Sequence, residues 1–304
     1  MNNSEFTFPL IHNSIGIMTP FLLAALGGLM TELSGMLNIA LEGLILFGAF
    51  FSVVFTYWSG SIFTGILGGI AVTLFFAWLF GAVTLYLKAN VFITGLATNL
   101  LAGGLITVLS FAFFKTKGVL MFRNMPSLPE LNIPALNSIP LIGDILSGHN
   151  ILVYFGWLMV FLAWVLINKT TFGLRLRGSG INPDAMRAAG ISPSRYRMYA
   201  ILISGFSCAL AGAVLTLNLG AYTPNISAGR GWIALVVIYL GGKRPLGILG
   251  ASFIFGLAES ISNYAQGFMD ISADFLLAFP YLLTVAAMVI MSVLKKKREG
   301  DSYE

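Results

Sequence analysis

The sequence predicts an all-α integral membrane protein with about nine membrane-spanning helices, within a range of roughly eight to ten. Of its 304 residues, 57% are apolar and only 10% are charged, whereas soluble domains carry about 25% charged residues. The mean hydropathy of +0.88 leaves more apolar surface than a water-soluble core can bury. These values exclude a soluble enzyme, a disordered chain, a disulfide-stapled secreted domain and a DNA-binding domain.

Eight apolar runs are long enough to cross a bilayer as helices, since about 20 residues are needed. A ninth run, 232–240, is too short to cross alone and is flanked by the Gly-rich stretches 229–231 and 241–245. Short segments of this kind at membrane depth often line a pathway, so we expect one broken helix here. The eight long runs are 14–32, 37–57, 61–87, 90–114, 151–168, 199–219, 246–267 and 275–294.

The basic residues predict the orientation of the chain, because Lys and Arg collect in cytoplasmic loops. Six of them lie in 169–198, and four more begin the tail 295–304, so both segments are placed in the cytoplasm. An even number of crossings must then separate them, and the run 232–240 has to count as one. The same count places the loop 115–150 and the N-terminus outside, within a single membrane domain, 1–304. The net charge of +5 therefore reflects topology and does not indicate a nucleic-acid partner.

A short internal repeat is present in the two halves of the chain. Residues Asn38-Ile39-Ala40-Leu41 run on to Gly48, and Trp232-Ile233-Ala234-Leu235 run on to Gly242 at the same spacing. By the count of crossings, the two copies pass through the bilayer in opposite directions. The pattern predicts an inverted repeat, as found in many transporters.

The cytoplasmic loop contains a well-defined local helix signal. Asn182 is suited to an N-cap, Pro183 to the first helical position and Asp184 to the first turn, where a negative charge is favourable. Gly190 is a natural residue for the end of the helix. The sequence therefore predicts a short, rigid helix of about two turns, suited to lie in a groove of another protein and transmit a push. The alternative is an ordinary positively charged connecting loop.

Several polar side chains fall inside the predicted spans. Glu42 and Glu259 are the acids that lie well inside them, and no Asp, His, Lys or Arg accompanies these two within the spans. A carboxylate inside a membrane is expensive to bury and therefore marks a candidate functional site, although a structural hydrogen-bonding role is the alternative for each residue. The candidates for a translocation pathway are Asn38, Glu42, Asn99, Asn218, Glu259 and Asn263.

The sequence gives no sign of an enzyme. Both histidines, His12 and His149, lie outside the predicted spans, and neither a Gly-x-Ser-x-Gly motif nor a metal-ligand cluster is present. A phosphate-binding loop is also missing, because Lys243 is followed by Arg244 where Ser or Thr is required. We therefore expect no catalytic residue, metal or cofactor in this chain. A secondary transporter driven by an ion gradient remains a remote alternative, with Glu42 and Glu259 as its coupling groups.

Three blocks of the chain resemble the permeases of ABC importers of the branched-chain amino acid, ribose and nucleoside group, in the form typical of nucleoside-type members. The first is LNIALEGLILFGA at 37–49, and the second is GINPDAMRAAGIS at 180–192. The third comprises GRGWIAL at 229–235 and GGKRPLG at 241–247. Their order and spacing span most of the chain.

The resemblance implies a permease subunit of the bacterial inner membrane that forms half of a translocation pathway. A second permease subunit, as a heterodimer, would supply the other half, a cytoplasmic ATPase would bind ATP and Mg²⁺, and an external solute-binding lipoprotein would deliver the solute. The solute would be a nucleoside, while a simple sugar or a riboflavin-like vitamin stays open. The residues that would couple the ATPase to the permease are Asn182, Pro183, Asp184, Arg187, Ala188, Ala189 and Gly190.

Overall fold

A computed structural model of the chain describes residues 3–122, 125–132 and 142–268, together with the single positions 134, 282, 285 and 289. Seven helices in the described part are long and apolar enough to cross a membrane. They are α1 (Asn3–Leu33), α2 (Leu41–Ser59), α3 (Ile62–Leu85), α4 (Val91–Phe114), α6 (Ile151–Lys169), α9 (Pro193–Leu217) and α11 (Pro245–Phe268). The shorter elements are β1 (Leu120–Met121), β2 (Glu130–Leu131), α5 (Ile142–Leu146), β3 (His149–Asn150), α7 (Thr171–Ile181), α8 (Pro183–Ala188), β4 (Ala221–Tyr222) and α10 (Arg230–Leu240).

The predicted all-helical membrane fold is confirmed. The predicted runs correspond to these seven helices and to the short α10, while the run 275–294 and the tail 295–304 lie outside the described residues. Three helices begin more than two residues away from the predicted positions: α9, α1 and α2, of which α2 is described with the site. Helix α9 begins at Pro193 rather than at 199, because Pro193 occupies its first position and the following arginines stand on its first turns. Helix α1 begins well before residue 14, so that His12 lies within a helix and not outside the spans as predicted.

The two ends of the helix bundle are defined by contacts of α1. At its C-terminal end, Lys243 Nζ lies 2.7 Å from Glu32 Oε1. At its other end, Asn13 Nδ2 donates to the hydroxyl of Tyr264 over 2.8 Å, so α1 and α11 run antiparallel. The rings of His12 and His149 also stack there with centroids 4.0 Å apart. Helix α7 lies at the C-terminal end of α1, since a Cβ on Gly180 would lie only 2.5 Å from the carbonyl oxygen of Leu33. The β3 end of the long loop and the α7–α8 segment therefore lie at opposite ends of the bundle, as one external and one cytoplasmic loop would require.

Helices α1, α2 and α9 form the centre of the bundle. In their most apolar stretches, 89%, 78% and 78% of the positions are buried, against 28% for α3, 17% for α4 and 33% for α6. Glycine allows α2 and α9 to approach closely, since a Cβ on Gly212 would lie only 2.3 Å from the backbone nitrogen of Ala49. The apolar outer faces of α3, α4 and α6 are left for lipid or for another subunit.

The long loop after α4 is tied to the segment that follows α9. Strands β1 and β4 pair antiparallel, with Leu120 opposite Tyr222, and β2 and β3 pair with Glu130 opposite Asn150. The ring of Phe122 packs on Tyr57, near the end of α2, at a centroid distance of 4.7 Å. The described parts of the loop thus cover one end of the bundle.

Candidate functional site

Two helices begin inside the bundle, after segments that are not helical. Helix α2 starts at Leu41 rather than at the predicted residue 37, and α10 starts at Arg230. From this point α2 runs toward the β1 end of the molecule, while α10 runs toward the end that carries Lys243. The two copies of the sequence repeat therefore pass in opposite directions, as an inverted repeat requires.

The carboxylate of Glu42 lies at the N-terminus of α10. Its Oε1 atom accepts hydrogen bonds from Ser227 Oγ at 2.5 Å and from the backbone N–H of Gly229 at 2.8 Å, and its Oε2 atom accepts one from the N–H of Gly231 at 2.7 Å. The first N–H groups of a helix have no partner within the helix and attract negative charge. The buried carboxylate and the free helix end therefore satisfy each other.

The backbone around this contact is tightly constrained. A Cβ on Gly231 would lie 2.4 Å from the backbone nitrogen of Glu42, so only glycine fits. Gly229 has φ = 77°, and Ala228 has φ = 43°, a value that costs an alanine roughly 1–3 kcal/mol. Strain of this kind persists only where the surroundings hold it, and the hydrogen bonds to Glu42 do so here.

Arg230 pairs with Glu259 beside the Glu42 cluster. Arg230 Nη2 donates to Glu259 Oε1, and each side chain is 17% exposed. The guanidinium carbon also lies 5.7 Å from the ring centre of Phe21, in the middle of α1. These contacts fix the start of α10 to α11 and α1. They also correct the prediction that no basic residue accompanies the two carboxylates. Arg230 stands just before the run 232–240, which is too short to cross the membrane alone. An arginine at the start of such a run is the sequence feature that could have predicted a basic partner for a buried carboxylate.

Asn38 and Asn99 satisfy backbone groups that the break before α2 leaves free. Asn38 Oδ1 accepts from the N–H of Ala40 at 3.0 Å, and its Nδ2 donates to Ser204 Oγ at 2.9 Å. Asn99 Oδ1 accepts from the N–H of Gly43 at 2.7 Å, and its Nδ2 donates to the carbonyl of Ile39 at 2.9 Å. Both amides have a clear structural role, and their lining of a pathway stays a prediction.

The remaining candidates for the pathway lie elsewhere. Asn218 is the exposed C-cap of α9, close to β4, and Asn263 is exposed on α11. Within the described ranges, neither residue hydrogen-bonds to the cluster around Glu42. The structure thus brings Asn38, Glu42 and Asn99 together at the break before α2 and Glu259 beside them, and it places Asn218 and Asn263 apart.

The predicted cytoplasmic helix is present as α8. Asn182 caps it by accepting from the N–H of Ala185 at 3.0 Å, and Pro183 is its first residue. Asp184 and Arg187 form an exposed ion pair one turn apart. Gly190 has φ = 74° and ends the segment, as its sequence position predicts. Ala188 and Ala189 are exposed, which leaves the last turn open to a partner.

Helix α7, which the sequence analysis did not predict, forms the base of α8. A Cβ on Gly180 would lie 2.5 Å from the carbonyl oxygen of Leu33, so α7 packs directly on the end of α1. The guanidinium of Arg197 then bridges the carbonyl of Ser34 at 3.2 Å and that of Ser179 at 2.8 Å. The α7–α8 segment is therefore bonded to the start of the non-helical segment 34–40 that leads to Glu42.

The sequence of the chain matches a known protein family. Residues 10–292 match the family model described as branched-chain amino acid transport system / permease component. The chain is 31% identical over 307 residues to the nucleoside ABC transporter permease protein NupC of Lactococcus lactis subsp. cremoris (strain MG1363), with 97% of this chain and 96% of NupC covered. It is 32% identical over 287 residues to the guanosine ABC transporter permease protein NupQ of Bacillus subtilis (strain 168), with 88% and 87% covered.

A solved structure shares the fold. It is described as a metal-chelate type ABC transporter in an inward-facing conformation, and it superposes with a TM-score of 0.52 over 91% of this chain and 84% of that chain. The sequence identity is only 15%, so this likeness concerns the fold alone.

Proposed function

Because the chain belongs to the branched-chain amino acid transport system / permease component family, we propose that it forms half of the translocation pathway of an ATP-driven importer for a nucleoside-like solute. The chain is a multi-pass membrane protein and an ABC transporter permease subunit of the nucleoside or simple-sugar type. The observation that carries the solute class is the similarity, over nearly the whole chain, to two permeases named for nucleosides and guanosine. A riboflavin-like vitamin gains no support from these relatives.

The coupling mechanism starts at α8. A cytoplasmic ATPase would bind ATP and Mg²⁺ and hold the exposed turn that contains Ala188 and Ala189. Movement of α8 would pass through α7 to Arg197, which is hydrogen-bonded to Ser34 and Ser179. Segment 34–40 then leads to Glu42 and to the start of α10. These hydrogen bonds support a rigid connection from the ATPase to the centre of the bundle.

The surfaces that the fold leaves open support the proposed partners. The poorly buried helices α3, α4 and α6 provide apolar faces for a second permease subunit, and we propose a heterodimer. An external solute-binding lipoprotein would dock at the end of the bundle covered by the described parts of the loop 115–150. This assembly would sit in the bacterial cytoplasmic membrane with the N-terminus outside and the C-terminus in the cytoplasm.

The test is purification of the tagged chain from its own membranes, followed by identification of its companions and reconstitution of the complex in liposomes. We expect a second permease and an ATPase to copurify, and radiolabelled guanosine to be taken up only when ATP and the binding protein are supplied. Ribose, glucose and riboflavin serve as comparison solutes. Uptake by this chain alone, driven by a sodium or proton gradient, would identify a secondary transporter and overturn the proposal.

A further inference from the structure

Helix α4 is the least buried span in the described part of the chain, and its two exposed edges differ chemically. Leu100 and Val108 are 78% and 63% exposed and form an apolar edge suited to lipid. The other edge carries Gly103 and Thr107, both exposed, and faces the segment after β4. A membrane helix with one apolar and one polar edge separates lipid from a more polar environment.

A cavity of about 190 Å³ lies beside the polar edge of α4, and we call it the Thr107 cavity. It is bounded by the outer half of α4, by α2 and by the residues that lead from β4 toward α10. Its floor is apolar, while its walls carry hydroxyl, amide and ammonium groups. The lining includes Gly103, Thr107, Ser110, Lys117, Tyr222 and Asn225.

The lining of the Thr107 cavity matches a hydroxylated ring. Thr107 Oγ1 donates to the carbonyl of Gly103 at 2.7 Å, and Ser110 Oγ donates to that of Thr116 at 2.9 Å, so each hydroxyl oxygen keeps lone pairs that can accept from a solute hydroxyl. The amide of Asn225 can both donate and accept. Because Lys117 is the one basic side chain among the described lining residues, and no carboxylate accompanies it, the cavity does not favour a cationic solute.

The cavity is too small to hold a whole solute. Complete ligand pockets measure roughly 300–1,000 Å³, and the Thr107 cavity opens onto the exposed face of α4, where a second subunit would pack. We propose that the Thr107 cavity is this subunit's share of the solute route near the β1–β4 end, and that it contacts the ribose ring of a nucleoside. The proposal rests on the proposed function and adds the place and the chemistry of the contact.

Cysteine reactivity tests whether this edge of α4 faces water. The protein has a single cysteine, Cys208, which is fully buried and gives a low background. In the reconstituted complex, we expect Thr107→Cys to react about ten-fold faster with a charged methanethiosulfonate than Val108→Cys, because thiolates form in water and not against lipid. The two positions are adjacent, so the control matches in depth. Equal, slow reaction at both positions would overturn the proposal.

Solute contact is tested by protection and by transport kinetics. Guanosine delivered by the binding protein should slow the labelling of Thr107→Cys. Thr107→Val, which keeps the shape, and Asn225→Gly, which suits the left-handed φ of 57° at that position, should each raise the KM of guanosine uptake roughly 2- to 10-fold through the loss of one hydrogen bond. Val108→Ala should leave KM unchanged.

The outcomes separate the two proposals. A reactive Thr107→Cys that guanosine does not protect, together with an unchanged KM in both variants, would show that the cavity is wet but lies off the solute route. If the complex carries a different solute, the proposed function fails, and the same protection assay performed with that solute decides whether the cavity contacts it.

Discussion

Glu42 is the residue on which the centre of the bundle depends. Its carboxylate receives three hydrogen bonds from the segment 227–231 and lies at the positive end of α10. These three donors offset the free-energy cost of burying the carboxylate. We therefore expect a substitution of Glu42 to affect the stability of the fold first. Loss of this residue would release the start of α10 and, with it, the strained backbone at Ala228.

We expect Glu42→Gln to destabilise the purified protein by about 2 kcal/mol, since an amide presents a donor to N–H groups that need an acceptor. The matched control is Glu32→Gln, which removes the ion pair with Lys243. The Lys243 side chain of that pair is 45% exposed, so water screens the pair although the Glu32 side chain is only 13% exposed, and the control should cost about 1 kcal/mol or less. Thermal unfolding in detergent, followed by tryptophan fluorescence, measures both. Equal losses in the two variants would contradict the role assigned to Glu42.

His149 makes the stability of the β3 end of the bundle dependent on pH. The pKa of His149 is lowered from 6.5 to about 4, because burial and, to a smaller extent, the nearby His12 outweigh the hydrogen bond to the carbonyl of Ile145, which raises it. The folded state thus binds fewer protons than the unfolded state between pH 6.5 and about 4. Stability is complete above pH 6.5 and declines as the pH falls through this window.

The predicted loss from His149 is at most about 3 kcal/mol, since one pKa unit corresponds to about 1.4 kcal/mol. His149→Gln retains a donor for the Ile145 carbonyl and removes the titration. We therefore expect its melting temperature to vary less than that of the wild type between pH 7 and pH 4. Parallel pH profiles of the two proteins would show that His149 is not responsible.

Local chemistry explains which residues could be assigned from the sequence. The cap formed by Asn182 and the turn at Gly190 depend on neighbours within eight positions, so they were predicted correctly. The pairing of Arg230 with Glu259 links positions 29 apart on different helices. Only the packing of α10 against α11 brings these two together, and no local pattern encodes that packing.

At the scale of elements, α7 and α8 form a bracket at one end of the bundle. Helix α7 packs on α1, and Arg197 joins the bracket to Ser34. The last turn of α8 is exposed and carries small side chains, which suits an intersubunit groove. The bracket therefore combines a firm base with an open contact surface.

We expect Ala189→Asp to uncouple ATP hydrolysis from transport, because a bulkier, negative side chain would enter the contact with the ATPase. Uptake should fall at least about ten-fold while expression and membrane insertion stay normal, since Ala189 is exposed and its change costs little stability. Ala189→Ser, of nearly the same size, is the control and should transport normally. Solute-stimulated ATPase activity and uptake are measured together, and wild-type uptake by Ala189→Asp would refute the coupling role of α8.

Hydropathy predicted the spans but not where a helix breaks. Residues 37–40 are as apolar as the helix that follows, yet they are not helical, because Asn38 and Asn99 supply hydrogen bonds that replace those of a helix. Helix α7 is the opposite case, a helix that the sequence did not predict. Its three glycines disfavour a helix, and close packing of Gly180 on α1 is what makes glycine suitable there.

For the whole molecule, the contacts of α1 fix which segments share an end, and the distribution of positive charge predicts which end is cytoplasmic. The α7–α8 bracket carries three of the six basic residues of its loop. The β1–β4 pairing and the His12–His149 stack lie at the other end. Because each of these segments has a fixed end of the bundle, locating any one of them determines the orientation of the whole chain in the membrane.

We expect alkaline phosphatase fused after Leu128 to be active and the same enzyme fused after Gly190 to be inactive, because phosphatase folds only outside the cytoplasm. Green fluorescent protein fused at the same positions should give the reverse pattern. Immunoblots of the fusions control for expression. The opposite assignment at both positions would invert the proposed topology and expose α8 to the exterior.

The bond between Ser227 and Glu42 also has a consequence for biosynthesis. The two residues are 185 positions apart, and at about 5–20 residues per second the ribosome needs roughly 10–40 s to add that length. During this interval the nascent chain carries the carboxyl group of Glu42, while the residues that donate hydrogen bonds to it have not yet been synthesised. A polypeptide truncated before Ser227 would therefore lack all three hydrogen-bond donors that the folded protein provides to Glu42.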